Sequence, residues 1–198
     1  MNETEERIIQ VAKELFIKNG YDKTSMSEIA QKLEMNRPTL HYYFRTKEKM
    51  FQAVAGSIFQ LVIPNAKSIV TGDLPFFEKI EKVMICYQDA LKRTPDFIFF
   101  ILTECRRDIN MVKEIISTQD IIPYMFELKK MARAEMESGR IKSVSLDFLG
   151  LQMISQILFP FLMKPIANEF LFDNEEAYNE FLVSWRGHIM NELKAMLL

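Results

Sequence analysis

The sequence predicts an all-α fold, a three-helix N-terminal head followed by a larger helical body, and three observations carry that expectation. Apolar residues recur at helical spacing almost throughout, as in Ile8, Ala12, Leu15 and Phe16 and again in Phe77, Ile80, Met84, Tyr87 and Leu91. Sustained strand-like alternation is absent. Caps and breakers fall where the stripes begin and end. With 48% hydrophobic residues among 198, the chain can bury one ordinary core or two small helical units.

The first helix is expected over about Thr4 to Asn19: Asn2 with Glu5 reads as a capping box, and Gly20 stands where a left-handed residue ends a helix. Ser25 with Glu28 is a second capping box and opens a helix of barely two turns, with Ile29, Ala30 and Leu33 on its inner face. Asn36 is the next N-cap, and Pro38, in the first turn, removes no intrahelical hydrogen bond, so a third helix runs to Phe44. Lys47 and Glu48 begin a fourth. Beyond Met50 the pattern predicts helices over 47–63 stopped by Pro64, 76–93 stopped before Pro95, 96–109, 120–138, 146–163 kinked at Pro160, and 175–197. The head is expected over 1–50 and the body over 51–198, the division falling inside a helix near Phe51 to Ile58.

Composition excludes several classes of function. The charged N-terminus lacks the apolar centre of a signal peptide, and the longest uninterrupted apolar strings, such as Ile98 to Leu102, fall well short of a bilayer span, so a cytoplasmic chain with no membrane partner is expected. Cys86 and Cys105 are too far apart for a CxxC motif and read as buried free thiols. With only His41 and His188, and without a GxSxG, HExxH or phosphate-cradling loop, neither an enzyme nor a bound metal or cofactor is expected. Net charge is −2 overall, but residues 1–60 hold nine Lys or Arg against eight Asp or Glu, and between Asn36 and Met50 Arg37, Arg45, Lys47 and Lys49 face only Glu48.

Two short helices joined by a tight turn and followed by basic and aromatic residues are what a helix-turn-helix needs to present its second helix to the major groove. Leu40 and Phe44 are spaced to pack against Ile29, Leu33 and Phe16, leaving Arg37, Pro38, Thr39, His41 and Tyr42 outward. Arg37 can offer a bidentate fork to guanine, and Thr39 a methyl to thymine or a hydroxyl to phosphate. His41, Tyr42 and Tyr43 can hydrogen-bond phosphate. Ser25 and Ser27 bring donors to a helix N-terminus, and Lys47 brings a point charge to the flanking phosphate.

The stretch from Ile8 to about Phe51 resembles the tetracycline-repressor (TetR) family of bacterial regulators, carried by Ala12 to Phe16, Gly20-Tyr21, Thr24-Ser25, Ile29-Ala30, Pro38-Thr39-Leu40, Tyr43-Phe44 and Lys47-Glu48 with Phe51. The resemblance implies an all-helical homodimer with a DNA-binding head and a body that binds a small effector. It places DNA contacts at Ser25, Met26, Ser27, Arg37, Pro38, Thr39, His41, Tyr42, Tyr43 and Lys47. Two positions depart from the family pattern: Glu34 stands where a turn glycine is common, implying a strained or altered turn, and His41 where tyrosine is frequent.

In the body, the helix near Leu146 to Met163 is apolar on nearly all sides and must be buried from two directions. It is expected to form a four-helix seam with the last helix and their copies, through Met153, Ile157, Phe161, Phe181, Trp185 and Ile189. A dimer implies a near-palindromic double-stranded operator. The middle helices carry Cys86, Tyr87, Phe97, Phe100, Cys105, Tyr124 and Met125, aromatic and sulfur groups suited either to a flat apolar effector or to ordinary core. The alternative reading is a helical ligand-binding or scaffolding protein whose head does not engage DNA.

Overall fold

The computed structural model describes residues 2–198, the side chains of Phe97 and Cys105 lying outside the described set. Among the described residues the chain is helical with no strand: α1 Glu3–Asn19, α2 Met26–Lys32, α3 Arg37–Tyr43, α4 Lys47–Thr71, α5 Phe76–Arg93, α6 Phe97–Arg107, α7 Ile109–Thr118, α8 Ile121–Glu137, α9 Leu146–Phe170 and α10 Glu175–Leu197. The caps expected of α1 to α3 are present. The Asn2 side chain accepts from the Glu5 amide at 2.8 Å, both arms of the Ser25–Glu28 box are made, and the Asn36 carboxamide oxygen accepts from the Thr39 amide at 2.8 Å.

One expectation about proline is overturned. Pro64 does not stop α4, which continues to Thr71; α9 runs through Pro160 and past the expected end at Met163, through Pro165, to Phe170. Pro64 and Pro165 point to the exposed side, where water can serve the carbonyl that proline leaves unpaired. Pro160 is buried, and the protein itself supplies the missing donor: the Trp185 indole Nε1 donates at 2.9 Å to the Gln156 carbonyl, the acceptor that an amide at position 160 would have used. Helix α7 was not foreseen. Asp108 caps it, its carboxylate accepting from the amides of Asn110 and Met111 at 3.0 and 3.4 Å.

The compact units are not two successive blocks. The first is Met1–Leu61 with Phe99–Ile122, and the second is Val62–Ile98 with Pro123–Leu198. In the first unit, Phe16, Phe51 and Phe100 form an aromatic core, with ring centroids 5.6 Å apart for Phe16–Phe51 and 5.1 Å for Phe51–Phe100. Phe100 belongs to α6, so a segment distant in sequence completes the core of the head. Gly56 in α4 is a point of close approach, because a β-carbon there would come within 2.7 Å of the Gln119 amide.

The second unit is built on α5, α9 and α10 around Met84, Ile157, Phe161, Tyr178, Leu182 and Ile189. Its buried Gln88 accepts from the Arg186 guanidinium at 2.7 Å, so this carboxamide oxygen is partnered. Helices α4 and α9 are long and apolar enough, by length and composition, to cross a membrane, with mean hydropathy of 1.3 and 1.5 over eighteen residues. No uninterrupted apolar string approaches that length; these averages are reached over windows that polar residues interrupt. The two differ in cover, since 44% of the α4 window is buried but only 22% of that in α9.

Candidate nucleic-acid interface

Helix α3 is seven residues long and buries one of them, Leu40. Its other groups are held at the surface by local bonds. Asn36 caps the helix and its Oδ1 also accepts from the hydroxyl of the exposed Thr39 at 2.7 Å. Tyr42 is 83% exposed, its ring edge-on to Tyr43 at 5.4 Å, and the His41 ring Nδ1 meets the Arg45 carbonyl at 3.1 Å. Arg37 and Pro38 are exposed, whereas His41 and Tyr43 are half-buried.

The turn before α3 explains itself through Glu34, whose φ of +55° is the left-handed value that glycine adopts without strain. The expected strain is therefore located. The Met35 amide then bonds the Ala30 carbonyl at 2.9 Å, closing the end of α2. Thr24 is buried and its hydroxyl reaches the carbonyls of Leu15 and Gly20 at 3.1 and 2.9 Å, tying the loop before α2 to the end of α1. Gly20 has a φ of +79° with extended ψ, so it ends α1 with a positive φ outside the left-handed helical form expected.

The expected DNA-facing residues are exposed or half-exposed; Met26 is not. Its side chain is only 8% exposed and lies with Ile29 and Ala30 on the inner face of α2, so it is core. The Ser25 oxygen is used as a cap acceptor, 3.1 Å from the Glu28 amide, which leaves its own proton to donate. Lys47 donates to the Asp22 carbonyl at 3.3 Å and lies 4.2 Å from the Tyr21 ring centroid. The Tyr21 hydroxyl donates to Glu48 at 2.9 Å. Burial and then Glu48 push that hydroxyl up, while the amide at the start of α4, followed by Tyr21, holds the Glu48 carboxyl down.

The expected effector residues are not brought together. Phe100 is core of the first unit, Met125 is exposed in the second, and the side chains of Phe97 and Cys105 lie outside the described residues. Cys86, Tyr87 and Tyr124 do share a region of the second unit, where burial pushes the thiol and both hydroxyls up and keeps them neutral. On the expected seam, Ile157, Phe161 and Ile189 are buried within the chain, Trp185 donates its indole proton to Gln156, and Met153 and Phe181 pack against the same core. Met153, Phe181 and Trp185 stay half-exposed. The outer face of α9 carries Phe148, Leu151, Phe159, Ile166 and Phe170, all exposed.

A capped α2, a tight turn and a short α3 with a hydrogen-bonding outer face make a helix-turn-helix. Residues 8–54 match the sequence model of the bacterial regulatory proteins, tetR family. The chain is 50% identical over 46 residues to the HTH-type transcriptional regulator QacR of Staphylococcus aureus, a match covering 23% of this chain and 24% of that one. It is 23% identical over 145 residues to the HTH-type transcriptional repressor NicS of Pseudomonas putida, covering 73% and 66% of the two chains. The crystal structure of the TetR family transcriptional regulator PfmR from Thermus thermophilus shares the fold, with a TM-score of 0.71 at 18% identity over 93% of this chain and 97% of that one. Residues 8–54 thus carry the sequence pattern of the tetR family of bacterial regulatory proteins, and the match to QacR spans only about a quarter of that relative.

Proposed function

We propose that this chain is a cytoplasmic transcriptional repressor whose head, residues 1–50, reads a near-palindromic DNA operator, and whose body, 51–198, joins two copies and takes up a small effector that releases the DNA. The observation that carries the reading is the outer surface of α2 and α3. Arg37 and Tyr42 stand exposed, and Thr39 and the Ser25 and Ser27 hydroxyls flank them on helices whose own caps are satisfied. Lys47, His41, Tyr43 and Pro38 complete the surface. Two helix N-termini in the same region add partial positive charge for phosphate.

The homodimer is supported by α9, whose apolar outer face is more than half exposed in its own chain. The name of NicS supports repression rather than activation. The neutral set Cys86, Tyr87 and Tyr124 supports an uncharged, flat effector. Selection of bound duplexes out of random DNA, near physiological salt, tests the proposal. Enrichment of a near-palindrome is expected; a folded protein that enriches no motif would favour the scaffolding alternative.

A further inference from the structure

A lysine at the start of a helix ordinarily swings freely on four methylenes, and fixing its ammonium opposes considerable rotamer entropy. Lys47 is fixed all the same, resting on the Tyr21 ring at 4.2 Å and on the Asp22 carbonyl at 3.3 Å. That uses one of its three donors and leaves two for an anion. The same two residues are gripped by a second cation. The Arg107 guanidinium, at the end of α6, lies 4.2 Å from the Tyr21 centroid, and its Nη1 is 3.8 Å from the Asp22 carboxylate.

Arg107 is itself held. Its Nε donates at 2.6 Å to Glu104, a carboxylate 2% exposed, so the guanidinium has a buried anchor. All of these residues lie within the first compact unit. The Asp22 side chain is 75% exposed and its pairing is long, so the contact adds little to stability. What the arrangement does provide is a rigid Tyr21–Asp22 corner beneath Lys47.

We propose that Arg107 is a positioning residue for DNA binding, fixing the corner on which Lys47 rests and so aiming the Lys47 ammonium at phosphate. The inference rests on the reading of Lys47 as a phosphate contact. Lys47→Ala changes direct contact, whereas changes at Arg107 act only through Lys47.

A double-mutant cycle on a mixed-sequence duplex of about four helical turns tests this, with affinity followed against salt concentration. Lys47→Ala weakens binding and lowers the salt slope by about one. The pair Glu104→Gln with Arg107→Gln leaves net charge unchanged and strands no buried ion. It weakens binding about threefold in the otherwise native chain and less than twofold when Lys47 is already alanine.

Equal loss in both Lys47 backgrounds, or loss in neither, overturns the role of Arg107 while leaving Lys47 on the DNA. No effect of Lys47→Ala on affinity or slope removes Lys47 from phosphate and the proposal with it. If the Glu104–Arg107 variant fails to fold, Arg107→Lys, which keeps the charge beside Glu104 but not the planar group over Tyr21, decides in the same two Lys47 backgrounds.

Discussion

Helices α3 and α9 each turn a face to solvent, and the two faces differ in kind. The α3 face is short and studded with groups that hydrogen-bond, among them Arg37, Thr39 and Tyr42, and the helix buries only Leu40. The α9 face is long and apolar, with Leu151 at 70% exposure among phenylalanines and isoleucines. Solvated hydrogen-bonding groups lose little by remaining in water and fit a charged, wet partner such as DNA. A continuous apolar face is unfavourable in water and fits a second apolar protein surface.

The largest expected break in this comparison is inside α3. Leu40→Ala should cost about 2–5 kcal/mol in denaturant unfolding, because it empties a fully buried site, whereas Tyr42→Ala should change stability by less than about 0.5 kcal/mol. On α9, Leu151→Glu should leave the fold intact and weaken self-association at least about tenfold in sedimentation, since a charge would have to be buried in the seam. Binding to a selected operator should then drop with it.

Trp185 and Pro160 supply a sharper test of how α9 is made. Trp185→Phe should destabilise by about 1–3 kcal/mol by orphaning the Gln156 carbonyl. Pro160→Ala in the same chain should recover much of that loss, because the restored amide can bond Gln156. Additive melting shifts would show that the two residues are unrelated.

Much of the head was legible in the sequence because its signals are local. Ser25–Glu28 and Asn36–Thr39 each act over three residues, and the structure uses both as read. The rest was carried by contacts distant in sequence. Phe100 returns to complete the head core, Trp185 rescues the helix across Pro160, and Arg107 meets Tyr21, and no local pattern encodes any of these. Met26 was misplaced because family position says which residue lies near DNA, not which way its side chain turns; the inner stripe of Ile29 and Ala30 was the signal available. Of the expected seam residues, Ile157, Phe161 and Ile189 are covered by their own chain, since a helix apolar on all sides does not declare which face its own chain covers.

A smaller effect is expected at Glu34. Glu34→Gly removes the left-handed strain and concedes some chain entropy, for a net gain of about 0.5–1 kcal/mol and a small rise in Tm. A loss of stability there would mean that the glutamate side chain is needed in the turn.

The central claim is that one exposed face reads DNA and the other joins two copies. Light scattering of the protein on its selected duplex, for the native chain and for Leu151→Glu, measures both together. Two chains per duplex for the native protein, and weak binding of single chains for the variant, is the expected result. One native chain per duplex, or an assembly that Leu151→Glu leaves unchanged, would contradict it.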